Sequence, residues 1–520
     1  MNYRSIISLL ALLLLALCLC MVPPCICALL WNEGELVVSN FYRCLLTTGL
    51  FSGLLFGARY LLGRRRAKRG KAPLGGAREG FAAVSLCWFF AVLFSSLPFV
   101  FVSSFKFCDA IFESASGLTT TGASVISNSL ALRNGAVLSG GLESLPRSLL
   151  LWRSLLNWLG GVGIVFFMLL VLPFMHLNLG RQLYNAEVPG IKTDSDQMTP
   201  RLITSVMWIV GIYVSLTALC ALSYRICGMS TYEAICHSFA TISTGGFSTR
   251  ANSFGTFSNA WLHWSVIFFM FISACNFSLI IKLCTTRRLI FLKDAEWRFF
   301  FLMVVFVVAV STALLRMRHP DEQHLLNGDP VIGFLPTLRI SLFQIVSVAS
   351  TTGFGTSDYE SWGISGILLL LGIVMFPCGC GGSTAGGIKC SRVIVAMKYL
   401  AYEVRRCVFP RTLSDVRLNN ERLGNEVVNK ILAFIVLYIL IFIFGTAFVS
   451  FVENCNLRTA VGASLTCLSN VGPGFGKVGP SGNFGWMLWP TKLFLSLVMV
   501  TGRLELYTVL VLFFPSFWKR

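Results

Sequence analysis

Apolar runs follow one another along the chain, each about as long as a bilayer crossing needs, roughly 20 residues. The candidate spans are 5–30, 36–62, 80–103, 148–176, 200–224, 260–284, 298–317, 363–399 with an interruption, 428–452 and 485–514. Four further stretches are too short to cross: Asp109 to Thr119, Tyr232 to Thr241, Pro336 to Ala349 and Leu457 to Leu468. At about 1.5 Å per residue these predict helices of roughly 15–20 Å that enter the membrane only part way. Non-helical backbone at such depth survives only where it is buried in protein or lines a watery cavity.

Each short stretch runs into a small polar motif. "TTTGAS" starts at Thr119, "STGGFS" at Ser243, "STTGFG" at Ser350 and "SNVGPG" at Ser469. Aligned, they put Gly122, Gly246, Gly353 and Gly472 in register, with Glu113, His237, Gln344 and Ala463 nine residues upstream. The pattern predicts an all-α integral membrane protein. Its unit is helix, re-entrant pore helix, filter loop, helix, repeated four times around a pseudo-fourfold pore. Two extra N-terminal transmembrane helices and a basic loop occupy 1–72, and the repeats occupy 73–180, 181–290, 291–402 and 403–520, the third with a broken second helix.

Composition agrees. The 520 residues are 55% hydrophobic and 12% charged, with a mean hydropathy of +0.74, too apolar for a soluble globular protein. The net charge of +19 suggests nucleic acid until its placement is read. Arg64, Arg65, Arg66, Lys68, Arg69 and Lys71 follow the second span; Arg287, Arg288 and Lys293 follow the sixth; Arg405, Arg406, Arg411, Arg417 and Arg422 follow the eighth. Strict alternation puts all three clusters on one side with both termini, which is the positive-inside signal of a multi-pass protein with cytoplasmic termini. The charge therefore reports topology.

The 18 cysteines do not form a disulfide framework. Cys18, Cys20, Cys87, Cys220 and Cys284 lie in apolar runs, and Cys378 and Cys380 form C-x-C without a second cluster at zinc spacing. The run "SLLALLLLALCLCMV" near the N-terminus reads as a retained first helix, because no small-x-small site follows; a processed signal peptide is the alternative.

A cation crossing a bilayer must exchange its water shell for fixed ligands, and rings of backbone carbonyls can supply them. Aiming successive carbonyls at one axis takes unusual backbone angles that glycine allows. The candidate filter is Thr120, Thr121 and Gly122; Thr244, Gly245 and Gly246; Thr351, Thr352 and Gly353; and Asn470, Val471 and Gly472. The short helices end at these loops, each with roughly half a negative charge that favours a cation. Asp358, Glu360 and Glu453 on the outer side either concentrate cations or are simply solvated surface.

These segments resemble the superfamily of bacterial Trk and Ktr and plant HKT cation transporters. "SGLTTTGAS", "HSFATISTGGFST" and "SNVGPGFG" match its first, second and fourth filter segments, "YNAEVPG" at 184–190 looks like its first cytoplasmic loop, and two helices ahead of the repeats favour the Trk type. The resemblance implies potassium bound at the filter residues, a homodimer in a bacterial inner membrane, and a TrkA-like cytosolic ring as partner. Any nucleotide (ATP/ADP or NAD) would sit on that partner, with no cofactor on this chain.

The eighth span is interrupted by "FPCGCGGSTAGGIKCSRV" from Phe376 to Val393. Glycine-rich breaks of this kind act as an intramembrane gate in the family the chain resembles. The candidate gate is Gly379, Gly381, Gly382, Ser383, Thr384, Gly386, Gly387 and Lys389, with Arg503 of the last span able to reach its carbonyls. Glu505 is two residues on and faces elsewhere, so the two cannot simply pair. "GSTAGGIK" is not a P-loop: Ile388 stands where lysine is needed and no strand precedes it.

An enzyme is the contrasting class. Only His176, His237, His263, His319 and His324 exist, in no catalytic or metal-binding constellation. A proton- or sodium-coupled symporter would use the same filter as a channel, so these residues leave both open.

Overall fold

The computed structural model describes residues 3–66, 77–171, 198–286, 290–318, 324–410, 416–419 and 421–518. The motif at 184–190, residues Lys68, Arg69, Lys71, Arg287 and Arg288, and Arg411 lie outside them. Helices dominate; one two-stranded hairpin, Arg417–Leu418 with Glu421–Arg422, is the only sheet among the described residues.

Among the described residues, six helical segments are long and apolar enough to cross a membrane in one piece: Ile6–Leu30, Glu35–Tyr60, Arg78–Val102, Met207–Ile226, Ala295–Arg318 and Asn425–Glu453. Two expected spans are bent instead. Ala260–Ser273 and Phe277–Thr285 meet at 98°, and Trp489–Arg503 and Tyr507–Phe513 at 116°. At the first bend the freed backbone groups find tertiary partners. Ala274 O accepts from Cys380 N at 2.9 Å, and Phe277 N donates to Gly382 O at 3.2 Å. At the second, Glu505 and Leu506 both take positive φ, 58° and 40°. The eighth span is broken as expected, into Ser365–Val374 and Cys390–Val408.

The four pore helices are Phe107–Leu118, Thr231–Ile242, Phe334–Ala349 and Leu457–Ser469. At 12 to 16 residues none reaches across a hydrocarbon core of about 30 Å. The second is started by Ser230, whose hydroxyl accepts from Glu233 N. Each of the first three packs on the inner helix of the preceding repeat: the first on Trp489–Arg503, the second on Arg147–Val171, the third on Ala260–Ser273. The N-terminal helices stand outside this ring. Tyr3–Cys20 packs on Glu35–Arg66 and Ala77–Ser95, and Glu33 accepts from Ser148 N–H and hydroxyl at the start of Arg147–Val171, where a helix N-terminus favours a carboxylate.

Candidate functional site

The four candidate filter loops share one backbone. Thr120, Thr244, Thr351 and Asn470 each follow a pore helix with positive φ, 54°, 56°, 59° and 56°, and two residues on Gly122, Gly246, Gly353 and Gly472 are positive again at 83°, 73°, 80° and 107°. Between them, Thr121 N, Gly245 N, Thr352 N and Val471 N reach back to Ser116 O, Ala240 O, Ser347 O and Thr466 O at 2.8–3.0 Å. That six-to-one bond is the Schellman closure of a helix end. Its left-handed residue is usually glycine; here three are threonines, for which positive φ is strained.

The loops then close on one another. A Cβ added to Gly122 would fall 2.6 Å from Gly245 O, and one on Gly472 would fall 2.7 Å from Thr121 O. One on Gly246 would strike Thr352 O, and one on Gly353 would strike Val471 O, closer still. The circuit runs first repeat to second, second to third, third to fourth and back to the first. Each filter glycine therefore sits against the carbonyl that precedes the next repeat's glycine. No side chain fits in that circle. Asn470 adds a side-chain link across it, its Nδ2 donating to Thr121 Oγ1 at 2.9 Å.

The in-register position nine residues upstream braces the loop in the first three repeats. Glu113 accepts from Ser124 Oγ and Val125 N. His237 Nε2 shares a 3.0 Å hydrogen bond with Ser248 Oγ, and Gln344 donates to Ser357 O. In the fourth repeat Gly462, beside Ala463, packs against Phe475 backbone instead. Two ion pairs support this layer that sequence reasoning missed. Arg153 is 4% exposed, pairs with Glu113 at 2.5 Å, donates to Ser248 O at 2.9 Å and stacks over Phe247. Lys492 pairs with Asp109 at 2.6 Å. The signal was present: an ionisable residue inside an apolar span asks for a partner. Asn157 was also missed. Its side chain occupies the room a Cβ on Gly245 would need, where the other repeats carry Thr121, Thr352 and Val471.

The outer acids act as loop braces. Glu360 pairs with Arg458 and accepts from Gly476 N, Asp358 accepts from Ser481 Oγ, and Glu453 accepts from Leu488 N.

Below the filter, the interruption of the eighth span folds under the pore-helix ends. Gly386 N donates to Thr351 Oγ1 at 2.9 Å, and Thr384 Oγ1 donates to Ile242 O at 3.1 Å. A Cβ on Gly386 would strike Ser469 O, and one on Gly379 would fall 2.6 Å from the Cβ of Ala385. Ser383 Oγ donates to Cys380 O at 2.6 Å. Gly382 and Gly387 take φ of 71°. Lys389 holds the loop as well, its ammonium donating to Ala385 O. Arg503, 4% exposed, donates from Nη1 to Thr384 O at 2.7 Å and from Nη2 to Gly160 O at 3.3 Å. Glu505 pairs with Arg392 at 2.6 Å, away from Arg503.

Comparison with known proteins places the chain in a family. The family model described as TrkH, cation transport protein, matches residues 76–520. The chain is 34% identical over 525 residues to the Trk system potassium uptake protein TrkH of Halomonas elongata, covering 100% of both chains. It is 33% identical over 511 residues to TrkG of Escherichia coli, covering 96% of each. Among solved structures, the potassium transporter TrkH from Vibrio parahaemolyticus superposes with a TM-score of 0.82 at 31% identity, covering 100% of both chains. These relatives are transporters, not enzymes, and the chain belongs to the TrkH family of cation transport proteins.

Proposed function

We propose that this protein takes up potassium through a carbonyl-lined filter whose conduction is gated by the loop at 376–393 and controlled by a cytosolic nucleotide-binding partner. The closed circuit of Gly122, Gly246, Gly353 and Gly472 against the neighbouring carbonyls carries the reading. Four loops with one backbone aim equivalent oxygens at one axis, and the negative ends of four pore helices lie behind them. Potassium, rather than another cation, follows the relatives' names.

The gate reading rests on Arg503. It places a fixed positive charge beneath the filter and holds Thr384 O of the loop, a bond strengthened by the donor's charge. The partner, the homodimer, the bacterial inner membrane and the cytoplasmic termini belong to the same reading, supported by the basic clusters on one side of the alternating spans.

Rubidium-tracer uptake into liposomes holding the purified chain tests it. Unlabelled potassium should compete far better than sodium, and flux should reverse at the potassium equilibrium potential whatever the proton and sodium gradients. Equal competition by sodium contradicts the filter. Reversal that tracks the proton or sodium gradient makes the protein a symporter.

A further inference from the structure

The gate loop is held from a second side. Glu296, in the first turn of Ala295–Arg318, is 2% exposed, and its Oε2 accepts from Gly381 N at 2.7 Å. Its Oε1 meets no donor among the described residues. A buried carboxyl group is costly in a membrane protein, and this one is retained where it meets the gate loop. Arg503 grips the carbonyl of Thr384 and Glu296 grips the amide of Gly381, so the loop is held at two of its peptides by side chains from two different helices.

Glu296 is not isolated from the rest of its side of the membrane. Asp294 caps the same helix, accepting from Trp297 N at 2.9 Å. Asn419, in the turn after Arg417–Leu418, clips onto that cap with two bonds. Its Nδ2 donates to Asp294 Oδ2 at 2.7 Å and its Oδ1 accepts from Ala295 N at 2.8 Å. The hairpin is also packed beside the helix that leaves the gate. Val416 and Leu418 are buried with Ile394, Val395 and Val428 against Ala295 and Phe299, and Lys398 Nζ donates to Arg417 O at 2.7 Å.

We propose that Glu296 is a second positioning residue of the gate, and that the cytoplasmic hairpin 417–422 acts on it through Asn419. The proposal rests on the gate reading above. Movement of the hairpin shifts the first turn of Ala295–Arg318 and with it the carboxylate that holds Gly381. Arg503, on the last inner helix, has no such connection to the hairpin in the contacts described. The loop is thus locked by one residue and released through the other.

The test uses the full chain in liposomes without a partner, reading rubidium flux per inserted molecule. Leaving a buried amide without its acceptor shifts an equilibrium by about tenfold. Glu296→Ala should therefore raise flux about tenfold, and Glu296→Gln, which keeps an acceptor oxygen, by less. Labelling by a water-soluble maleimide, mapped by mass spectrometry, gives a second readout. Cys378, Cys380 and Cys390 are fully buried in the gate, and Cys236 and Cys467 are fully buried in pore helices. Glu296→Ala and Asn419→Ala should expose the gate thiols while the pore-helix thiols stay protected. Should Glu296→Ala fail to fold, Glu296→Gln carries the test. Equal labelling of all five thiols would make Glu296 merely structural and overturn the proposal. Wild-type flux and labelling in both Glu296 variants, with raised flux in Arg503→Ala, would overturn it and leave the gate reading standing. Wild-type flux in Arg503→Ala as well would remove the gate itself. Protected gate thiols in Asn419→Ala alone would overturn the hairpin's part.

Discussion

Thr120, Thr244 and Thr351 hold a backbone conformation that a branched side chain resists. They persist because the Schellman bonds behind them and the neighbouring loop in front leave no alternative. The glycines two residues on have still less freedom, since any Cβ there meets a carbonyl of another repeat. Gly246→Ser and Gly353→Ser should therefore lower the potassium-to-sodium ratio of tracer competition by tenfold or more. Gly57→Ser, where nothing lies within 4 Å of the new Cβ, should leave it unchanged. The buried Lys492–Asp109 pair makes a separate prediction. Removing one partner of a buried pair costs about 3–5 kcal/mol. Asp109→Asn should lower the melting temperature in detergent, and Asp109→Asn with Lys492→Met should recover part of the loss. Equal melting temperatures for the two variants would mean that the pair is not coupled.

The proposed gate is a property of elements. The interruption between Val374 and Cys390 is legible in the sequence, because five glycines and a proline cannot continue an apolar helix. The bends at 274–276 and 504–506 are not. No proline or glycine occupies either, and each is sustained by bonds to residues remote in sequence or by local left-handed angles. Arg503→Ala and deletion of Gly381 to Gly387 should both raise partner-independent cation flux per inserted molecule, because each removes a constraint beneath the filter. Lys389→Met should act in the same direction, since its ammonium holds Ala385 O within the loop. If Arg503 only anchors its helix, Arg503→Ala will insert poorly with unchanged flux per molecule.

Across the whole molecule, four short helices and their loops could be put in register because each repeat carries its own local signal. What completes the site was not legible, because its pairs lie far apart in the chain. Arg153 meets Glu113, Asn470 meets Thr121 and Lys492 meets Asp109, and no periodicity links positions that distant. The proposed partner belongs to the same scale. Arg405 and Arg406 are exposed on the helix that leaves the gate, so neutralising both with Arg411 should reduce capture of a soluble nucleotide-binding ring by the purified protein. Undiminished capture would move the docking surface elsewhere.

The most direct measurement is anomalous diffraction from crystals of the protein soaked in rubidium. A cation filter built from the four loops predicts a rubidium peak on the pseudo-fourfold axis, ringed by the carbonyls of Thr121, Gly245, Thr352 and Val471. Ordered rubidium found only away from that ring, with the loops well resolved, would contradict the account.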